Sequence, residues 1–343
     1  MTGGPRPRRY GYLGPEGTFT DAALGLALAA RGEDGATGAP TAERVPAASV
    51  DAALAAVRAG GLDAAVVPME NSVEGGVPAT LDGLAGGDPL VVVAEVLVPV
   101  SFVLAVRPGT RREDVRVVST HSHAQAQCRG WLAAHLPRAG YTPSTSTAAA
   151  AAGLAPDAPA PSYEAALCAR VAADRYGLEV LAEDVGDTAG AVTRFVVVSR
   201  PTPPPPRTGA DRTTVIAFQP ADHPGMLLGL LEEFSSRGVN LTRIESRPTG
   251  DALGRYCFAI DAEGHVEDAR VAEALLGLHR VCAQVRFLGS YPRADAVPVV
   301  VRPGTADDDF AAARGWLDAV RAGRPPGDAG DGTGDGAVAR PLS

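Results

Sequence analysis

Residues 64–82 read Ala-Ala-Val-Val-Pro-Met-Glu-Asn-Ser-Val-Glu-Gly-Gly-Val-Pro-Ala-Thr-Leu-Asp. Ala64–Val67 is apolar and too short for a buried helix, so it reads as a buried strand that ends at Pro68. Glu70, Asn71, Ser72 and Glu74 then follow beside Gly75-Gly76. A strand that stops and presents carboxylates, an amide and a hydroxyl puts polar groups at a carboxyl-terminal sheet edge, where open α/β sheets bind ligands. The glycine pair permits close backbone approach, and a helical pattern resumes at Thr80. The same residues also make an ordinary polar β–α turn, so the stretch suggests a site without specifying one.

Working outward, Tyr10–Leu13 reads as a strand entering a loop, Gly14-Pro15-Glu16-Gly17-Thr18-Phe19-Thr20-Asp21, before a helix over about 22–30. That loop lacks the Gly-Lys-Ser/Thr of a nucleotide-phosphate loop and is not GxGxxG. Ser49 caps a helix over 50–59. Leu90–Leu97 and Val100–Val106 are β-rich runs joined at Pro99, and Val115–Ser119 is a strand leading through Thr120-His121-Ser122-His123 into a helix to about Leu136. Two histidines at i and i+2 do not share a helix face and no third ligand has usable spacing, so no metal is expected. Periodicity does not decide between strand and helix at Ala165–Ala169, and Thr193–Val198 is a strand. This alternation predicts an α/β domain with a largely parallel sheet.

Arg200–Arg212, with Pro203–Pro206, reads as a semi-rigid linker. Beyond it the pattern is βαββαβ, a ferredoxin-like module over 213–292. Its first helix follows Asp222 and Pro224, and its central strands are joined through Gly250–Gly254. A helix over about 307–320 and a Gly/Asp/Ala tail expected to be disordered complete the chain.

The chain has 343 residues, enough for two or three domains. Its net charge of −9 disfavours general binding to nucleic acids or anionic membranes. The 31 basic residues are all arginine. Cys128, Cys168, Cys257 and Cys282 are widely spaced, as in a reduced cytosolic protein. No signal peptide or membrane-spanning run is apparent, so a cytoplasmic location is expected.

Several stretches, in order, resemble the bacterial prephenate dehydratases. Gly14–Phe19 resembles their GPxGTF, and Glu70–Gly75 with Thr80-Leu81-Asp82 resembles ENSxEG…TLD. Thr193-Arg194-Phe195 matches TRF, and Thr120–Cys128 is similar to SHPQALAQC, with Ser122 and His123 replacing its Pro and first Gln. Gly190 stands where an Asn is common. Gly225-Met226-Leu227 and Glu245-Ser246-Arg247-Pro248 resemble the GAL and ESRP motifs of the regulatory ACT domain.

The resemblance implies a two-lobed, periplasmic-binding-protein-like catalytic domain over 8–200. Lobe one spans about 8–95 and 190–200, and lobe two about 96–189. A linker over 201–212, an ACT domain over 213–292, and the helix and tail over 293–343 follow. It further implies decarboxylating dehydration of prephenate to phenylpyruvate without metal or organic cofactor, feedback control by L-phenylalanine, and a homodimer or homotetramer. Thr193 would hydrogen-bond to or protonate the leaving hydroxyl, directly or as a relay, and Arg194 would pair with a substrate carboxylate. Thr120, Gln127, Asn71 and Thr18 would orient substrate, with Ser72, Gly75 and Phe195 lining the site. Glu70 would position its neighbours. Gly225, Met226, Leu227, Asn240, Glu245 and Ser246 would bind the effector. The rival readings are a non-catalytic amino-acid sensor, a prephenate decarboxylase that does not aromatise its product, and an arogenate dehydratase.

Overall fold

The computed structural model describes residues 7–35, 42–220, 223–249 and 256–324. The turn expected over Gly250–Gly254, the helix-start residue Asp222 and the tail beyond residue 324 lie outside the described residues.

The first lobe contains β1 (Arg9–Leu13), α1 (Phe19–Ala30), β2 (Glu43–Ala47), α2 (Val50–Arg58), β3 (Ala64–Asn71), β4 (Gly75–Gly76), α3 (Pro78–Ala85) and β5 (Val91–Pro99). The second contains β6 (Val103–Val106), β7 (Val117–Thr120), α4 (Ser122–Gln127), α5 (Arg129–His135), β8 (Gly140–Pro143), α6 (Thr147–Ala152), β9 (Ala165–Cys168), α7 (Arg170–Arg175) and β10 (Glu179–Ala182). The chain then returns to the first sheet as β11 (Val192–Ser199).

The sheet order is β2-β1-β3-β11-β5 in the first lobe and β10-β6-β9-β7-β8 in the second. Only part of each sheet is parallel. β11 runs antiparallel to both of its neighbours, and β6 runs antiparallel to β9 and β10. The parallel pairs are β1 with β2 and β3, and β7 with β8 and β9. The mixture arises because β11 enters the first sheet from the opposite end after the excursion through the second lobe.

The crossing falls slightly later than expected, because β5 stays in the first sheet to Pro99. Two strands of chain bridge the lobes, and they are bonded to each other. Val100 N–H donates to the Ala191 carbonyl at 2.7 Å, and Val185 N–H to that of Phe102 at 3.0 Å. Gly190 has φ +73°. Asn is the commonest non-glycine residue in that left-handed region, so the Asn-to-Gly departure preserves the backbone conformation.

The carboxy-terminal module follows as β12 (Asp211–Phe218), α8 (Met226–Ser235), β13 (Leu241–Pro248), β14 (Tyr256–Glu263), α9 (Ala269–Val281) and β15 (Gln284–Pro292), with α10 (Asp307–Arg321) beyond. Its antiparallel order is β13-β14-β12-β15. One face of this sheet packs Val215, Ala217 and Ile260 against Leu230 and Phe234 of α8 and Leu278 of α9. The other face, with Ile216, Ala259, Leu288 and Tyr291, shares a core with Leu54, Leu81, Val196 and Val198 of the first lobe. The module is therefore seated on the back of the first sheet, and the β12–β15 strands and β11 bury one apolar layer together.

That seat depends on one close approach. Gly289 has φ +136°, and a Cβ built there would collide with the Val92 carbonyl oxygen of β5. Only glycine meets both demands. Gly289→Ala is expected to destabilise the chain by on the order of 1–3 kcal/mol, measured as a lowered urea midpoint. An unchanged midpoint would show that β15 does not rest against β5 in solution.

Candidate functional site

The cleft between the lobes has a volume of about 340 Å³. From the first lobe come Leu13, the amino terminus of α1, Pro68, Asn71, Glu74–Pro78, Thr193 and Phe195. From the bridge and second lobe come Val100, Phe102, His121, His123, Ala124, Gln127 and Thr145–Thr147. Phe19 and Phe102 meet edge to face at 5.7 Å across the apolar end.

A β-bulge aims the polar side chains. In the β3–β11 pairing Thr193 opposes Asn71 and Arg194 opposes Glu70, yet Phe195 opposes Pro68, so Met69 is an extra residue on β3. The strand continues through Pro68 instead of stopping there. A bulge reverses which face later residues occupy. Beyond it, Asn71 shares the cleft face with Thr193, while Met69 packs in the core behind the sheet.

Asn71 holds this corner. Its Nδ2 donates to Thr193 Oγ1 at 2.8 Å, and its Oδ1 accepts from the backbone N–H of Val73 at 2.8 Å and Glu74 at 3.2 Å. Because the threonine oxygen accepts this bond, its own O–H proton is left to donate into the cleft. Across the cleft, Gln127 Nε2 donates to Glu74 Oε1 at 2.7 Å, and His123 Nδ1 lies 2.8 Å from Glu74 Oε2. One first-lobe carboxylate is thus gripped by two second-lobe side chains. His121 caps α4 and lies 5.0 Å, ring to ring, from His123. Burial, then the neighbouring His123, push its imidazole below the ordinary histidine range, against an opposing pull from Glu74.

Asn71, Gln127, Thr18, Gly75, Phe195 and Thr193 therefore meet at one cleft. Thr18 does so with its hydroxyl already engaged, donating to the Leu13 carbonyl at 2.9 Å and capping Asp21 N–H at 3.2 Å. Gly75 has φ +85° in the turn closing β3 onto β4. Three other expected site residues lie off the cleft. Thr120 is fully buried and donates to the Leu167 carbonyl at 2.7 Å, away from the cleft. Ser72 Oγ accepts from Val192 N–H at 3.0 Å and serves to join β3 and β11. Glu70 projects from the far face of the sheet, where its carboxylate accepts from Arg194 Nη2 at 3.1 Å, so it holds a neighbour, as expected of it, from behind the cleft.

Arg194 is the largest correction. Strand alternation puts it opposite to Thr193, behind the sheet and 5% exposed. Nη2 lies 2.5 Å from Asp261 and 3.1 Å from Glu70, and Nη1 lies 3.3 Å from Glu95 and 3.5 Å from the Tyr291 hydroxyl. Asp261 and Tyr291 belong to the carboxy-terminal module. Arg194 therefore does not reach a ligand carboxylate in the cleft, and no arginine lines the cleft among the described residues. His123, Glu74 and the hydroxyls of Thr145–Thr147 were missed as site residues. The only sequence signal for His123 was its departure from the SHPQ pattern, which carries no chemistry by itself.

The effector residues divide between faces. Gly225 is the left-handed cap of α8, with Met226 and exposed Leu227 in its first turn. Asn240 accepts the N–H of Glu263 through its carbonyl. Glu245 faces the first lobe, paired with Arg243 at 3.1 Å and lying over Gly76. Ser246, the next residue on β13, is on the opposite face. Glu245 and Ser246 thus project from opposite faces of the sheet in this chain.

Comparison with known proteins supplies relatives over nearly all of this architecture. The family model for prephenate dehydratase matches residues 10–203, and that for the ACT domain matches residues 213–280. A prephenate dehydratase of Mycolicibacterium vanbaalenii is 50% identical over 92% of this chain and 98% of its own length. The crystal structure of a prephenate dehydratase from Arthrobacter aurescens in complex with L-Phe is 55% identical, with TM-score 0.84 over 92% of this chain and 99% of that one. The structure of GqqA, described as a novel type of quorum quenching acylase, is 30% identical, with TM-score 0.70 over 83% of this chain and 98% of that one.

The cluster behind β11 sets an acid limit on the assembly. Burial alone would raise the Asp261 carboxyl, but Arg194, Arg243 and Arg212, with a hydrogen bond from Thr214, outweigh it and hold the group below the usual carboxylate range. The stability that this charge contributes is fully present above the unfolded-state value and declines as pH falls from there towards the lower folded-state value. The urea midpoint is expected to drop as pH is lowered below about 4, and less steeply in Asp261→Asn, which has no proton to take up there. Equal acid sensitivity would mean that Asp261 is not held charged in the fold.

Proposed function

The chain belongs to the prephenate dehydratase family, and from that premise we propose that it converts prephenate to phenylpyruvate, carbon dioxide and water in phenylalanine synthesis. The observation that carries the proposal is the Asn71–Thr193 bond at 2.8 Å inside the cleft. In this reaction the bond to the ring carboxylate breaks, its electron pair enters the ring, and the ring hydroxyl leaves opposite. The hydroxyl needs a proton to depart as water. Thr193 accepts from Asn71 and so presents its proton to the leaving oxygen. A bond accepted by the threonine oxygen polarises its O–H. The free alcohol is a weak acid, so Thr193 works as a hydrogen-bond donor or relay and not as a fully ionised acid.

The remaining surface suits a substrate that must lose carbon dioxide. Phe19, Phe102, Phe195 and Val100 make one end of the cleft apolar. A carboxylate taken from water into such surroundings without an arginine partner is poorly stabilised, which favours its loss. The carboxylate that is retained meets hydroxyls, the imidazoles and the amino terminus of α1, whose dipole favours an anion. Gln127 and His123, by gripping Glu74, bring the two lobes together and shield the reacting ring.

The module over 213–292 supports the further proposal of feedback by L-phenylalanine, as does the bound L-Phe of the Arthrobacter relative. A homodimer or homotetramer acting in the cytoplasm fits this reading. No helix among the described residues is long and apolar enough to cross a membrane.

The deciding assay incubates purified protein with prephenate and follows phenylpyruvate absorbance in alkali. Phenylpyruvate formation supports the dehydratase. A non-aromatic product points to the decarboxylase, turnover of arogenate alone to the arogenate enzyme, and no turnover of either to the sensor. Thr193→Val is expected to lower kcat by roughly 10²-fold or more, while Thr193→Ser, which keeps the hydroxyl, stays within about tenfold of the unaltered chain. Calorimetric titration with L-phenylalanine is expected to show saturable binding, and its absence from folded protein would remove the feedback proposal.

A further inference from the structure

Thr193 and Arg194 are covalent neighbours facing opposite ways, one into the cleft and one into the carboxy-terminal module. The charges around Arg194 continue well beyond it. Asp261 of β14 is held by Arg194, by Arg243 Nε at 3.0 Å and by Thr214 Oγ1 at 2.7 Å. Arg243 of β13 also donates to Glu245 at 3.1 Å, and Glu245 lies against Gly76. Tyr291 of β15 shares its hydroxyl between Thr214 at 2.7 Å and Arg194 at 3.5 Å. Glu95 of β5 bridges Arg194 at 3.3 Å and Arg212 at 2.9 Å. One buried cluster thus joins every strand of the module's sheet to β3, β5 and β11.

Two further facts bear on what the cluster does. Its donors are not all satisfied: Arg243 Nη2 and Arg212 Nε are buried without a hydrogen-bond partner. Such atoms are unusual in a settled network and are what a second pairing arrangement would use. In addition, β13 touches the turn that carries Asn71. Glu245 lies against Gly76 at the end of that turn, and Arg247 makes a two-pronged pair with Asp82 of α3 at 3.0 and 2.7 Å.

We infer that Arg194 is a positioning residue through which the carboxy-terminal module sets the placement of Thr193. The inference rests on the dehydratase reading above. β11 is the shared lever. Its backbone places Thr193 against Asn71, and its next side chain is fastened to Asp261 and Tyr291. Any shift of β13 or β14 that re-pairs Arg243 changes the hold on Asp261, hence on Arg194, hence on the donor one residue away. An effector works through this path if it binds the two arrangements with different affinity. A merely structural cluster would hold the module in place and leave turnover indifferent to which donors are paired.

The test uses the full chain in two variants. Arg194→Lys keeps the charge but loses the planar fork that reaches Asp261 and Glu70 together. It is expected to lower kcat about tenfold with KM for prephenate within about twofold, the pattern of a lost transition-state contact. Tyr291→Phe removes one hydroxyl and no charge, and lies outside the cleft. Its calorimetric phenylalanine binding is expected to stay near that of the unaltered chain, while the change in turnover caused by phenylalanine shrinks at least about threefold. A raised KM with unchanged kcat in Arg194→Lys would overturn the inference by making Arg194 a substrate ligand. A full phenylalanine response in both variants would overturn it as well. If Arg194→Lys does not fold, Tyr291→Phe decides alone. If the unaltered chain turns over prephenate but binds no phenylalanine, the feedback reading fails, and the split between kcat and KM decides the positioning role.

Discussion

The structure depends on the two-residue period of one strand. β11 is a central strand of the first sheet, hydrogen-bonded to β3 and β5 on either side. Its side chains alternate between two environments that share nothing else. Thr193, Phe195 and Val197 face the cleft and the α1 side, while Arg194, Val196 and Val198 face the carboxy-terminal module. A strand in that position has no solvent face, so every substitution in it is felt by one domain or the other. A register slip of one residue would exchange the two sets, placing a guanidinium in the cleft and a hydroxyl among three carboxylates. The β5 and β3 pairings, together with the Arg194 cluster, oppose such a slip.

This alternation also explains which parts of the site were legible in the sequence. The elements were readable because their periodicity is strong: the βαββαβ order, the Ser49 cap and the apolar runs of the first lobe appear as the pattern puts them, except that β3 runs on past Pro68. The Thr-Arg-Phe run was readable as a site marker but not as a geometry. Reading it as three cleft residues ignored the pleat, which allows only the first and third to share a face. The bulge at Met69 was not legible, since one extra residue in a strand leaves no compositional trace. Its only hint was Pro68, which removes a ladder donor and is tolerated at bulges.

Hydroxyls were misjudged for a different reason. Thr18, Ser72 and Thr120 all stand at strand ends or helix starts, where unpaired backbone groups concentrate. There a short hydroxyl readily meets a backbone group, local or on a neighbouring strand, and all three are engaged in this way: by Leu13 and Asp21 for Thr18, Val192 for Ser72, Leu167 for Thr120. Thr193 escapes because it sits within a strand whose backbone groups are already paired. Its hydroxyl therefore looks to a side chain, Asn71, and retains a proton to give. A hydroxyl in a regular element is a better candidate donor than one at a cap, other things being equal.

The distribution of positive charge completes the argument. The chain has no lysine, and among the described residues its arginines lie outside the cleft, several of them in the cluster behind β11. A site that only had to hold a dianion tightly would place a guanidinium against each carboxylate. Equal stabilisation of bound substrate and transition state would lower KM without speeding the chemical step. For a reaction that discharges one carboxylate as neutral carbon dioxide, a fixed cation beside that group would oppose the change. Leaving the cleft with weak donors, imidazoles and aromatic rings, and confining the strong cations to the side of the carboxy-terminal module, separates two jobs. Charge pairing behind the strand sets its position, and the reaction proceeds in front of it with little charge to overcome.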